Sequence, residues 1–228
     1  MLDAEREAVA AAARRLAECG LVLGTAGNVS ARSDALVAVT PTGATLAQLS
    51  AEDVVVVDLE GEPVHGGYAP TSELALHLGA YRRYQAGAVV HAHSPIATAL
   101  ACVLDEVPLI HYQMLALGGP VRVAPYATFG TAELAALTLD ALEGRAAALM
   151  ANHGMLALGP DLNGAMDNAL LLEWACELYW RAATVGRPRT LAAGEAAEFI
   201  DMVRARNYGA LITLQPRPTT RRPDDERA

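Results

Sequence analysis

Ala88-Val-Val-His-Ala-His-Ser94 is the stretch on which the reading of this chain turns. A short apolar run ends in two histidines two residues apart. As a strand, the run places alternate side chains on one face, so His91 and His93 project the same way. Paired imidazoles suit a divalent transition metal, and a catalytic zinc site adds at least one further protein ligand. A strand end with two solvated histidines is the plainer alternative. The pair alone does not decide between them.

Working outward, alternating strands and helices frame the pair. Ser94-Pro95 opens a helix to about Leu104, with serine as cap and proline at the first helical position. Before the pair, Pro70-Thr-Ser-Glu73 opens a helix to about Tyr84, capped by Thr71 or Ser72, with Glu73 in its first turn. His77 lies one turn beyond Glu73 on the same face, which could make a Glu/His metal pair, but packing against a neighbour is the favoured reading. Further strands are expected over Ala35–Thr40, Val54–Val57, Val121–Ala124, Ala146–Asn152 and Met155–Leu158. Helices are expected over Asp3–Cys19, Thr131–Glu143, Asp161–Val185 and Ala193–Asn207, and Leu109–Leu117 is ambiguous. Leu21–Arg32 reads as strand, glycine turn, strand, and His65 as a solvated loop residue. The pattern is a single α/β domain, residues 1–210, with helices on both faces of a sheet, followed by a flexible tail, 211–228, in which Arg217 to Ala228 has no core-forming content.

Composition narrows the chemistry. The chain has 228 residues, 53% hydrophobic, enough for one sizeable core. A net charge of −9 disfavours nucleic acid or an anionic membrane as partner. No apolar run approaches the roughly 20 residues of a membrane span. Cys19, Cys102 and Cys176 are scattered, and the N-terminus does not read as a signal peptide, so a reducing cytoplasm is the expected setting. All 17 basic residues are arginine. A lysine Schiff base and a Walker A loop are therefore both impossible, and carbanion chemistry would need a metal or another electron sink.

The third imidazole comes from Asn152-His-Gly154, at the end of a second apolar strand. His91, His93 and His153 with one open or carboxylate position form a catalytic zinc arrangement, and nickel, cobalt or manganese share the ligand type. Glu73 is a candidate fourth group and general base. Nothing in the spacing proves that these segments meet.

At this point a resemblance enters. Gly24-Thr-Ala-Gly-Asn-Val-Ser30, Thr40-Pro-Thr-Gly43, Pro70-Thr-Ser-Glu73, Val90-His-Ala-His93 and Asn152-His-Gly154 follow the order and separations of the class II aldolases of the aldolase/adducin superfamily. Ile110-His-Tyr112, Ala124-Pro-Tyr-Ala-Thr-Phe-Gly130 and Tyr208-Gly209 fit as well, so the resemblance spans about Ala8 to Gly209. It implies a three-layer α/β/α sandwich around a largely antiparallel, mixed sheet. It also implies a homotetramer with active sites between subunits. His91, His93 and His153 would hold Zn2+, with Glu73 a resting ligand that moves off to act as acid/base. Thr25, Gly27, Asn28, Thr42, Gly43, Thr71 and Ser72 would cradle a substrate phosphate. Tyr112 would reach in from a neighbouring subunit as proton donor, and Phe129 and Tyr208 would shape the aldehyde pocket. Threonine at 71 stands where the family pattern has serine, and it keeps the hydroxyl.

The implied reaction is reversible aldol cleavage of a ketose 1-phosphate, such as L-fuculose 1-phosphate or a related deoxy-sugar phosphate, to dihydroxyacetone phosphate and a small aldehyde such as L-lactaldehyde. Breaking a carbon–carbon bond beta to a ketone leaves a carbanion, for which zinc is the Lewis acid in a lysine-free chain. Ribulose-5-phosphate 4-epimerases keep the histidines but carry Asp at the position of Glu73. Adducin-like scaffolds would be expected to lose the ligands that this chain retains.

Overall fold

The computed structural model describes residues 1–84 and 86–206. Two compact units divide the chain, Met1–Ala192 and Ala193–Ala228. The described part of the second is one helix, α6 (Ala193–Arg206). The expected domain limit near 210 and the tail beyond it lie outside the described residues.

The first unit runs α1 (Asp3–Glu18), β1 (Asn28–Ser33), β2 (Leu36–Val39), β3 (Val55–Asp58), β4 (Pro63–His65), α2 (Leu74–Tyr84) and β5 (Ala88–Ala92). It continues with α3 (Pro95–Ala101), β6 (Glu106–Val107), β7 (Val121–Ala124), α4 (Ala132–Ala141), β8 (Ala147–Met150), β9 (Gly154–Gly159) and α5 (Leu162–Val185). The sheet has nine strands in the order β4-β3-β2-β1-β5-β9-β8-β7-β6. Every neighbouring pair is antiparallel except β7 and β8, which α4 joins by the crossover that a parallel pair requires.

β5 sits at the centre and all five of its residues are buried, as a strand covered on both faces must be. On one side Val89 packs with Leu156, Leu158 and Val39 of neighbouring strands under α2 and α4, through Leu76, Tyr81, Leu134 and Leu139. On the other side α1, α3 and α5 cover the sheet. There α1 buries Val9, Ala13 and Leu16, the face its sequence pattern indicates. The mixed α/β fold with a mostly antiparallel sheet is the one expected from sequence.

Several local expectations change. Leu21 to Gly27 is irregular, and β1 starts only at Asn28, because the chain turns at Gly27 with φ +85°. Two short edge strands, β4 and β6, were not expected; His65 lies in β4 and is exposed. The ambiguous segment becomes a 3-10 turn, Tyr112–Leu117, with His111 Nδ1 accepting from the Gln113 amide. Glu73 directly precedes α2 instead of lying in its first turn, with Thr71 Oγ1 accepting from its amide. Ser94 does not cap α3 with its hydroxyl. Both oxygens of Glu173, from α5, accept from the Ile96 and Ala97 amides at 2.9 and 2.8 Å instead.

Candidate active site

Strand register brings the site together. Asn28 of β1 lies opposite His91 of β5, and cross-strand partners share a face. His93 follows two residues on, just beyond the strand. β8 and β9 pair as a hairpin, so the turn between them returns to the end of β5, and His153 occupies that turn. Its amide donates to the Met150 carbonyl, and Asn152 takes the left-handed conformation, φ +54°, that asparagine tolerates well. The three imidazole centroids stand 4.9 to 5.0 Å apart at steep angles, with ligand nitrogens within 4.8 Å of one another.

The Glu73 carboxylate enters this triangle from the start of α2. Its Oε2 lies 3.1 Å from His91 Nε2, and its Oε1 lies 3.2 Å from His153 Nε2. Asn28 Nδ2 donates to Oε2 at 2.9 Å. Burial raises the Glu73 pKa, but His153, His91 and Asn28 outweigh it and hold the carboxyl ionised, far below its ordinary range. Burial first, and then the neighbouring His91 and His153 rings, bring His93 down to about 4.

This donor set fits a divalent cation. His91 Nδ1 donates to the Met155 carbonyl at 2.8 Å, which leaves the Nε2 lone pair turned to the site. That Nε2 lies 3.0 Å from His93 Nε2 and 3.1 Å from Glu73 Oε2, contacts that require either a proton on a ring nitrogen or a cation between the partners. Glu73 Oε1 is buried and accepts no hydrogen bond. Imidazole nitrogens with a carboxylate oxygen form a zinc-type ligand set.

Two glycines pack flat against the ligands. A Cβ on Gly27 would stand 2.9 Å from the His91 carbonyl oxygen. A Cβ on Gly154 would stand 2.5 Å from the Ala92 oxygen and 3.0 Å from the His93 ring. Side chains at either position would displace the histidines.

A cavity of about 520 Å³ opens over the triad, with Glu73, His93 and His153 on its wall. Thr25, Gly27, Asn28, Thr42, Gly43, Thr71 and Ser72 line it, so three separated turns supply hydroxyls and amides to one space. Phe129 lines its mouth together with Tyr126, which the sequence places in the same loop but does not mark for the site. His91 is fully buried behind the wall. Tyr112 is not among the residues lining this cavity. Its ring rests on His111 at 4.3 Å, and His111 in turn meets Trp174 of α5. Tyr208 lies outside the described residues. The Met155 carbonyl is a site residue that side-chain types do not reveal.

A family profile described as the Class II Aldolase and Adducin N-terminal domain matches residues 7–180. The chain is 40% identical over 207 residues to a 5-methylthioribulose-1-phosphate/5-deoxyribulose-1-phosphate aldolase of Rhodospirillum rubrum, covering 90% of this chain and 93% of that one. It is 36% identical to the L-fuculose phosphate aldolase of Escherichia coli K12, covering 85% and 90%. A solved structure of an L-fuculose 1-phosphate aldolase superposes with a TM-score of 0.85 at 35% identity, covering 88% of this chain and 96% of that one. The chain belongs to the class II aldolase and adducin family. It is an enzyme of the class II aldolase type.

Proposed function

We propose that the protein cleaves a ketose 1-phosphate reversibly to dihydroxyacetone phosphate and a small aldehyde, with Zn2+ as its metal. The observation that carries the reading is the Glu73 side chain set among three imidazoles beside a cavity lined by hydroxyls and amides. Thr25, Gly27, Asn28, Thr42, Gly43, Thr71 and Ser72 hold the phosphate, which anchors the substrate away from the bond that breaks. Backbone amides and neutral donors suffice for a dianion, which suits a chain without lysine.

His91, His93 and His153 would hold the cation, and the Glu73 carboxylate stands close enough to join them. When bound, the cation supplies Lewis acidity at the ketone oxygen and accepts the charge released as the carbon–carbon bond opens. Glu73 moves the proton at the carbon that becomes the hydroxymethyl group of dihydroxyacetone phosphate. Tyr112 of the partner subunit takes the proton of the hydroxyl that becomes the aldehyde. Its place in this chain, stacked on His111 and away from the chain's own cavity, agrees with delivery across an interface of a homotetramer.

Phe129 and Tyr126 are exposed aromatic residues that line the cavity, and the aldehyde-pocket role of Tyr208 rests on the sequence resemblance alone. Such a rim suits an aldehyde ending in a methyl or methylthio group. That describes the products of 5-deoxyribulose 1-phosphate, 5-methylthioribulose 1-phosphate and L-fuculose 1-phosphate alike. Among the described residues no helix is long and apolar enough to cross a membrane, and with the scattered cysteines this supports a cytoplasmic enzyme.

The test is a panel of these three ketose 1-phosphates and ribulose 5-phosphate, each with and without chelator. Chelator-sensitive release of dihydroxyacetone phosphate is expected. Formation of xylulose 5-phosphate, with no cleavage of any 1-phosphate, would replace the reading with an epimerase.

A further inference from the structure

His77 and Tyr81 are buried polar residues one turn apart on α2, and none of the roles above uses them. They face Asn28 and Ser30, alternate residues of β1. The four side chains form an unbroken line of hydrogen bonds that ends on Glu73. Tyr81 OH lies 2.5 Å from Ser30 Oγ, and Ser30 Oγ lies 2.6 Å from His77 Nδ1. His77 Nε2 lies 2.6 Å from Asn28 Oδ1, and Asn28 Nδ2 lies 2.9 Å from Glu73 Oε2. We propose that His77 is a positioning residue for Glu73, fixing through Asn28 which end of the amide meets the carboxylate and the cavity. The proposal rests on Glu73 as the acid/base group and on the cavity as the phosphate site.

The line has two self-consistent senses, because each interior member has both donor and acceptor capacity. In one, Tyr81 donates to Ser30, Ser30 to His77 Nδ1, His77 Nε2 to Asn28 Oδ1, and the Asn28 NH2 to Glu73. In the other, the Asn28 amide turns over, the three bonds from Tyr81 to Asn28 reverse, and the Asn28 carbonyl oxygen faces the Glu73 carboxylate. Two acceptors then meet across a buried contact, which costs the full penalty of an unmade bond to a charge. The first sense is the one present, with Asn28 Nδ2 against Glu73 Oε2 and Asn28 Oδ1 against His77 Nε2. Burial brings the His77 pKa down to about 3, so the ring stays neutral and carries a single proton, on Nε2 in this sense.

Asn28 matters twice because it also lines the cavity. Its NH2 has a second hydrogen beyond the one given to Glu73. With the amide held by His77, phosphate oxygens meet that hydrogen. With the amide free to turn over, both the carboxylate and the phosphate meet a carbonyl oxygen. Loss of His77 should thus weaken phosphate binding and turnover together, while the three metal-binding imidazoles keep their places.

The experiment uses full-length protein loaded with zinc. Long-range proton–nitrogen correlation spectra of the wild type labelled with nitrogen-15 histidine should show the His77 proton on Nε2. A proton on Nδ1 would overturn the proposal. His77→Phe should keep its zinc, bind inorganic phosphate more weakly, and lose about 10–100-fold in kcat/KM. His77→Gln, whose amide can donate to Asn28 Oδ1, should recover at least part of that loss. A His77→Phe protein with zinc bound and kcat/KM within about twofold of wild type would defeat the idea. If His77→Phe fails to fold, the spectrum and His77→Gln decide: a His77→Gln protein that binds phosphate no better than His77→Ala counts against it. If the wild type cleaves no ketose 1-phosphate, the proposed function falls, and the position of the His77 proton still decides this inference.

Discussion

α2 and α5 cover opposite faces of the same sheet with opposite chemistry. The fully buried residues of α5, Ala165, Met166, Ala169, Leu172, Ala175 and Cys176, need only volume and fit, while its directed hydrogen bonds come from half-buried Asn168 and Glu173. α2 buries Leu76, Leu78 and Ala80, but also His77 and Tyr81, whose polar atoms are satisfied only by Asn28 and Ser30 in one register. An apolar face tolerates small shifts at a graded cost. A buried polar line either closes or leaves orphaned groups. The site lies on the demanding face, and the stability of the other face is free of that constraint.

This contrast can be broken in a definite order. His93→Ala should remove metal and activity together, leaving no measurable chelator-sensitive turnover; metal analysis beside an activity assay checks it, and an active metal-free variant would end the zinc reading. Glu73→Gln comes next. It should retain metal but lose about 10²–10⁴-fold in kcat, the worth of a placed acid/base group. Gly154→Ala pushes a methyl towards the Ala92 oxygen and the His93 ring, and should cost about 10–100-fold in metal affinity. Competition with a calibrated chelator would measure that loss, and unchanged affinity would show that the ring has room to move.

Leu172→Ala, on the permissive face, should destabilise by about 2–5 kcal/mol in denaturant titration while kcat stays at the wild-type value. A fall in kcat would mean that the two faces are coupled. The smallest effect expected is in pH. His77 is held down to about 3 and His93 to about 4 when folded, against about 6.5 unfolded. With the folded values below the unfolded one, their contribution is complete above about pH 6.5 and fades as pH falls towards 3. Melting temperatures of metal-free protein should be level from pH 8 to about 6.5 and then decline, less steeply in His77→Phe. A flat wild-type profile down to pH 4 would contradict the burial of neutral rings.

How much of this could be read beforehand follows from the range of each signal. His91, His93 and His153 belong to a residue type with only six members in the chain, and Glu73 stands at a helix start, so their candidacy is visible without a fold. The turns at Thr25, Thr42 and Thr71 are marked by neighbouring glycine or proline. The Asn28–Glu73 bond is not visible, because it needs the β1–β5 register that sets Asn28 beside His91. The Ser94 cap failed for a similar reason. A local motif predicted it, and Glu173, distant in sequence, took over the amides. β4 and β6 are too short for a period to show and exist as additions to a sheet already formed. His77 was legible only as a buried helix residue, since its partners are also long-range.

The position of β5 has a consequence for how the protein is made. Its two neighbours come from opposite ends of the domain: β1 precedes it, and β9 follows only after α3, β6, β7, α4 and β8. A chain emerging from the ribosome can pair β1 with β5 and present His91 and His93 early. The turn bearing His153 arrives with the last strand of the sheet. The three-histidine cluster is therefore complete only once the last strand of the sheet has been made, and a shorter nascent chain offers a passing cation two histidines at most.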